Sequence, residues 1–340
     1  MTMIFDPKPS YHTSILRLGF LGLASVLVYF VTLTVPYLIG LTAFPLVIAT
    51  AHYKRTEILS LIAICSLLVF FILKAFDNGL AIALLPLYLL ACSMAIVVGE
   101  ILIRKIQPSR AVLGIGLFLA VTVFLGGGTL IYQNKENVSE SLKTSLVKIQ
   151  DQVQKEPPKQ AVEFQDHLQY MIDRAEEIVT STPTYIFIGL FLGIWLNLYL
   201  VLRGHKTLLL KRNYPYQLGH LTHLRLPGWT AYLAIGLLAL YTLPEGTVGK
   251  DLQTFAAGGT YVLGTFFFLQ GFGVYLEYLH FLKIKGFLQS FLIFMTAVFA
   301  NTLLAVVGIL DLWFDFRRFF KNKDKDDKDK NQDQSKGKLS

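Results

Sequence analysis

Residues 134–182 read NKENVSESLKTSLVKIQDQVQKEPPKQAVEFQDHLQYMIDRAEEIVTST. Apolar side chains fall at Val138, Leu142, Leu146, Ile149 and Val153, in steps of four, four, three and four. Past Pro157-Pro158 they resume at Phe164, Leu168, Met171, Ala175 and Ile178, in steps of four, three, four and three. An α-helix turns once per 3.6 residues, so each set forms a stripe down one side, with the repeat that lets two helices pack along their length. Asn137, with Glu140 three places on, is a start signal for the first helix. The double proline removes backbone donors and enforces a turn. The simplest object is an antiparallel helical hairpin, with Leu142, Ile149, Phe164, Leu168 and Met171 available to pack or to meet a partner. Nine Asp/Glu against six Lys/Arg make this segment too polar to enter lipid.

The rest of the chain is its opposite. Over 340 residues it is 54% hydrophobic and 16% charged, with a mean hydropathy of +0.52. Those values exclude an ordinary soluble domain. Apolar runs of about twenty residues recur, long enough to cross roughly 30 Å of hydrocarbon at about 1.5 Å per residue. The net charge of +8 lies in short connections and near the C-terminus, a pattern of membrane topology rather than of nucleic-acid binding. Cys65 and Cys92 each sit inside an apolar run without ligand-bearing neighbours and read as buried thiols. The first apolar run has no A-x-A-like cleavage site and is expected to remain as an uncleaved anchor.

Nine apolar runs follow in order: 14–34, 37–52, 57–73, 79–103 and 111–132 before the hairpin, then 182–202, 228–243, 254–279 and 286–314 after it. Thr182 followed by Pro183 reads as a cap and first-turn proline opening the sixth. The expected fold is all-α: a polytopic transmembrane helix bundle of about eight or nine spans, carrying an extramembrane amphipathic helical hairpin. The expected parts are an N-terminal five-span region (1–133), the hairpin (134–182), a C-terminal membrane region (183–318) and a disordered charged tail (319–340). Lys54 and Arg55, then Arg104, Lys105 and Arg110, then Arg203, Lys206, Lys211, Arg212 and Arg225 mark alternate connections as basic. By the positive-inside rule these face the cytoplasm, which puts the N-terminus inside and the hairpin outside a bacterial inner membrane. Arg317, Arg318 and the lysines behind them also ask to be inside. Nine full crossings would put them outside, so either the last run folds back near Asn301 or an N-terminal run does not cross.

Polar groups within apolar helices carry the functional information, because a charge at the bilayer centre costs about 2.5–3.5 kcal/mol. Asn197, Gln270, Asn301 and Asp311 are the candidates, either lining a polar cavity for a solute or bonding packed helices together. Gln270 precedes Gly271 and Gly273, where a neighbouring backbone has room to approach. Glu100 and Glu277 fall near run ends, where a carboxylate is cheap. The block Gly308-Ile-Leu-Asp311-Leu-Trp313-Phe-Asp315-Phe-Arg317-Arg318 is denser: Asp311 and Asp315 are four apart on one helical face, and Arg318 lies three beyond Asp315. Such a cluster with Trp313 as interfacial anchor fixes a helix's depth, or forms a site. His220 and His223, with His205 upstream, lack the further ligands that zinc needs, so no metal is expected. Gly126-Gly127-Gly128 has no Lys or Ser/Thr of a phosphate loop and reads as a packing or helix-break element. No nucleophile–base motif is visible, so no enzyme and no cofactor is expected.

Leu226-Pro227-Gly228-Trp229, Phe268-Leu269-Gln270-Gly271 and the block from Gly308 to Arg317 resemble the YybS-like bacterial membrane proteins. The order of five spans, an amphipathic insert and motif-bearing spans resembles them too. The resemblance implies a polytopic inner-membrane protein and no particular activity. A weaker likeness is to the six-span substrate-binding subunits of energy-coupling-factor transporters, although the first span lacks their Ala-x-x-x-Ala surface. Two functions are then open. The first is a scaffold or partner subunit of an envelope complex, using the hairpin and the basic loop to bind envelope or membrane proteins or a second copy of itself. The alternative is a small-solute binding or transport protein with a cavity between membrane helices.

Overall fold

A computed structural model describes residues 11–34, 36–76, 78–155, 161–204, 209–210 and 213–320. Pro157-Pro158, His205, Lys206, Lys211, Arg212 and the charged tail lie outside the described residues, as does the side chain of Phe164. Among those described every regular element is a helix. The elements are α1 (Tyr11–Thr34), a 3-10 segment (Pro36–Ala43), α2 (Phe44–His52), α3 (Arg55–Phe76), α4 (Asn78–Ile103) and α5 (Pro108–Val121). A π-helical stretch (Thr122–Gly127) leads into α6 (Gly128–Gln133). The hairpin arms are α7 (Lys135–Lys155) and α8 (Ala161–Asp173), followed by the long α9 (Ala175–Gly204). Then come α10 (Leu218–Thr222), α11 (Trp229–Thr242), α12 (Glu245–Val248), α13 (Lys250–Phe281), α14 (Gly286–Phe299) and α15 (Asn301–Phe314).

Among the described residues, five helices are long and apolar enough to cross a membrane: Ile15–Leu33, Arg55–Ala75, Leu84–Ile103, Ala175–Gly204 and Leu252–Phe281. Gly286–Phe299 and Asn301–Phe314 together make a sixth if counted as one span, but they bend by 95° at Ala300. The expected eight or nine full spans therefore reduce to five or six on length and composition. The physical reason is helix length. The second run is split between a 3-10 segment and nine residues of α2, α11 has fourteen residues, and the fifth run, helical from Pro108 to Gln133, changes to π-helix at Thr122. Fourteen residues rise about 21 Å, short of the hydrocarbon thickness. On α1, Leu16, Phe20, Leu23, Leu27 and Val31 form a bare apolar stripe, as a lipid-facing helix requires.

Contacts divide the chain into two units, Met1–Gly116 with Gly189–Leu221, and Leu117–Ile188 with Thr222–Ser340. The division differs from the expected parts: the hairpin groups with the C-terminal helices, and α9 passes from one unit to the other. In the first unit the 3-10 segment is tied to α1 by Ser25 Oγ donating to the Thr42 carbonyl at 2.9 Å. Tyr29 packs edge-on against Tyr88 and donates to the Leu84 carbonyl at 2.6 Å. Cys65 and Cys92 are buried free thiols.

In the second unit the hairpin arms pack together, with Leu146 and Leu168 buried on them and Ala175 and Val179 buried at the start of α9. Gln150 donates across to Gln169 at 3.3 Å. Two local expectations are corrected. The first arm starts at Lys135, so Asn137 lies within the helix rather than capping it. Likewise Thr182-Pro183 does not open a helix: Pro183 lies inside α9, and Thr182 Oγ1 donates back to the Ile178 carbonyl at 2.8 Å. The reason is that the stripe through Ala175 and Ile178 joins the apolar run without a break, so the helix begins at Ala175, one residue past the turn at Arg174.

Candidate functional site: a polar clasp on the last helices

The crossing of α13 and α15 decides what surrounds Gln270 and Asp311. Gly271 and Gly308 face each other there: a Cβ on Gly271 would run into the Leu304 carbonyl, and one on Gly308 into the Phe267 carbonyl. Without side chains the two backbones touch, which brings Gln270 and Asp311 together inside the packed pair. Gln270 is fully buried, and its Nε2 donates to Asp311 Oδ2 at 3.3 Å. Its Oε1 accepts the Leu226 backbone N–H at 2.9 Å. One side chain thus joins α15 to the extended segment that follows α10.

Arg317 completes the arrangement. Helix α15 ends at Phe314 because Asp315 adopts the left-handed conformation at φ 44°, ψ 55°. Asp is one of the few residues that tolerate this region. The reversal turns the next helical stretch, 316–320, so that Arg317 enters the interior. Its Nη1 donates to the Thr222 carbonyl at 3.1 Å, and its Nη2 to the carbonyls of Leu224 at 3.2 Å and Gln270 at 2.9 Å. Its Nε lies 3.5 Å from Asp311 Oδ2. A Cβ on Gly273 would meet both the Thr222 carbonyl and this guanidinium. Burial pulls the Arg317 pKa down from its ordinary value while the Asp311 carboxylate opposes the shift, so the group stays charged at neutral pH.

The expected pairing inside the C-terminal block is therefore corrected. Arg318 is exposed, and Asp315 bonds elsewhere: Arg225 Nη1 lies 3.6 Å from Asp315 Oδ2. The i,i+3 rule fails because the helix is broken at the residue it was counted from. Trp313 is half exposed, in keeping with an anchor at a helix end. Around the same segment, His223 Nε2 lies 3.0 Å from Glu277 Oε1, while His220 Nδ1 accepts the Gln217 N–H. What the sequence did not reveal is the receiving partner, the backbone of residues 222–226. Carbonyls and amides leave no mark on residue type.

The remaining candidates lie apart. In the first unit Asn197 is fully buried, and its Nδ2 donates to the carbonyls of Gly40 at 2.8 Å and Gly193 at 2.7 Å. The close approach of Gly40 to Gly193 makes that reach possible. Asn301 is exposed at the bend, its Oδ1 accepting the Thr302 N–H at 2.6 Å. Glu100 pairs with Arg104 at 2.9 Å and Arg55 at 4.0 Å. Neither Gly126 nor Gly128 has a neighbour where a Cβ would stand, so the triple glycine marks the π-helical irregularity rather than tight packing. On the hairpin Leu168 is buried at 2% exposure and Leu142 is half-buried, but Ile149 at 42% and Met171 at 36% are open.

The clasp holds a charged pair, and three of its four guanidinium contacts go to backbone carbonyls. No curated protein and no solved structure matches the chain. The family model described as "Predicted membrane protein (DUF2232)" matches residues 22–312, a span that includes Gln270, Gly271, Gly308 and Asp311. The YybS-like resemblance agrees with that match, and the chain belongs to this family of membrane proteins.

Proposed function

We propose that the protein is a non-enzymatic scaffold or partner subunit of a complex in the bacterial inner membrane, and that its hairpin makes the protein contacts. The observation that carries this reading is the bare apolar surface on an otherwise polar hairpin: Val138, Val147, Ile149, Tyr170 and Met171 are all exposed, while Leu146 and Leu168 already fill the seam. Exposed apolar side chains outside the lipid are a cost that a partner surface removes. The basic connections at Lys54–Arg55, Arg104–Arg110 and Arg203–Arg225 favour a cytoplasmic N-terminus and a hairpin on the opposite side.

The alternative of a solute cavity lined by Asn197, Gln270, Asn301 and Asp311 is less favoured. Asn197 Nδ2 is taken up by the carbonyls of Gly40 and Gly193, Gln270 bonds Leu226 and Asp311, Asp311 is held by Gln270 and Arg317, and Asn301 lies exposed at a helix start. The test is a combined Val138→Ser, Ile149→Ser and Met171→Ser variant, purified from the membrane by affinity tag beside the unaltered protein. All three positions are exposed, so the thermal midpoint is expected to stay the same. The reading requires that a protein copurifying with the unaltered chain, or the chain's own oligomer, is lost. Identical companions for both would refute it.

A further inference from the structure

At the foot of the hairpin, where α6, α7, α9 and α13 begin or end, the second unit has a half-open pocket of about 330 Å³. We propose that this pocket binds a phosphate-bearing head group, with the apolar part of the same molecule lying against Pro183 and Phe255. The volume falls at the lower end of the range of small-molecule sites. The proposal does not depend on the hairpin having a protein partner.

The walls change character along their length. On α9 they run from Glu176 to Thr184 and on α13 from Lys250 to Gly258, eight residue steps in each case, which is about 12 Å of helix. One end carries Lys135, Lys250, Glu176 and Glu177, whereas the other is built from Pro183, Phe255 and Gly258. A site charged at one end and apolar at the other fits an amphiphile. The charged end holds two ammonium groups and two carboxylates. Glu176 Oε1 receives Lys135 at 2.7 Å and Lys250 at 3.8 Å, and Glu177 is paired at 3.4 Å with Arg174, which lies outside the lining. The two lysines of the pocket thus share one carboxylate, Glu176.

The two ammonium groups converge on a single carboxylate oxygen, the geometry in which an incoming group with three acceptor oxygens takes over both. Lys250 is the one placed to turn: at 3.8 Å it is outside hydrogen-bond distance of Glu176, and its side chain is 59% exposed. Helix α13 also starts here, from Gly249 at φ 78°, with no side chain capping its first amides. Its positive end adds to the attraction for an anion. Glu176 therefore acts as the occupant's competitor, holding the two lysines together until a phosphate replaces it.

The head group has two sources, a membrane lipid or a soluble phosphate ester, and the experiment separates them. The full-length protein in neutral maltoside micelles is titrated with dioctanoyl phosphatidic acid, glycerol 3-phosphate and dioctanoyl phosphatidylcholine, following binding and the thermal midpoint. Phosphatidic acid is expected to bind and raise the midpoint, and phosphatidylcholine to bind at least tenfold more weakly. Lys250→Gln, at an exposed side chain, should weaken phosphatidic acid at least tenfold with the ligand-free midpoint unchanged. Glu176→Gln should tighten it, because the competing carboxylate is gone. Glycerol 3-phosphate binding as tightly as phosphatidic acid would support the phosphate site and assign it to a soluble ester, whereas much weaker binding would support a lipid. The proposal is overturned if neither phosphate compound binds, if phosphatidylcholine binds as well as phosphatidic acid, or if Lys250→Gln leaves the affinity unchanged.

Discussion

Replacing Arg317 by Met leaves the volume of the side chain nearly intact and removes its charge and its fork of donors. Three carbonyls, those of Thr222, Leu224 and Gln270, lose their guanidinium donor. Asp311, 1% exposed, keeps only the 3.3 Å bond from Gln270, and its Oδ1 has no hydrogen-bond partner even in the intact protein. Breaking a buried ion pair by removing one member costs about 3–5 kcal/mol, since the survivor stays charged in a medium that does not solvate it. Asp311→Asn alone leaves a cation that still has its three carbonyls, and should cost less, about 1–3 kcal/mol. In the double variant no charge is stranded, so the combined loss should fall short of the sum by at least about 1 kcal/mol, as for residues in one network. Arg317→Lys keeps the charge and gives up the planar fork, and should fall between the unaltered protein and Arg317→Met. Reversible unfolding in mixed dodecyl sulfate and maltoside micelles, followed by tryptophan fluorescence, measures all four. The reasoning is refuted if Arg317→Met costs less than about 1 kcal/mol, or if the two single losses add to within about 0.5 kcal/mol.

Two further predictions concern packing and pH. Gly308→Ala places a methyl group against the Phe267 carbonyl, which is backbone and does not swing aside, so it should cost at least the upper part of the roughly 1–3 kcal/mol range for overpacking. Gly264→Ala on α13 meets nothing within 4 Å and should be neutral or stabilise by up to about 1 kcal/mol in the same unfolding assay. Tyr214 donates to the Ile106 carbonyl at 2.8 Å, and burial, with Tyr216 beside it, pushes its hydroxyl up from the ordinary value near 10. A raised pKa means that the contribution is full below about pH 10 and is lost only as the pH climbs through the folded value. Tyr214→Phe should therefore cost about 1 kcal/mol at neutral pH, and its difference from the unaltered protein should narrow in unfolding curves taken above pH 10.

Much of this was legible in the residues, and the parts that were not share a cause. The hairpin follows from spacing alone, since Leu146 and Leu168 in the seam sit on the stripes that period defines. Gln270 and Asp311 were found because a polar side chain in an apolar helix must meet something. Their closeness required Gly271 and Gly308 to oppose each other across two helices, a tertiary fact that neither segment carries by itself. Arg318 was expected within helical reach of Asp315, but a single left-handed backbone angle at Asp315 ends the helix, and Asp is also common inside helices. The start of α9 was misplaced for a similar reason: Thr-Pro is a start signal only where no helix already arrives from upstream. The count of eight or nine spans is not confirmed where runs are apolar enough but interrupted, as at the 3-10 segment and at Ala300.

The most direct test of the central claim, a polar hairpin held outside the lipid to meet another protein, is site-specific photo-crosslinking in intact cells. A photoreactive side chain at Ile149 or Val138, both exposed, is expected to give a discrete adduct of higher mass that contains protein, and the same group at the buried Leu168 is expected to give none. Adducts to lipid alone from Ile149 and Val138, or no adduct from either position, would contradict the account.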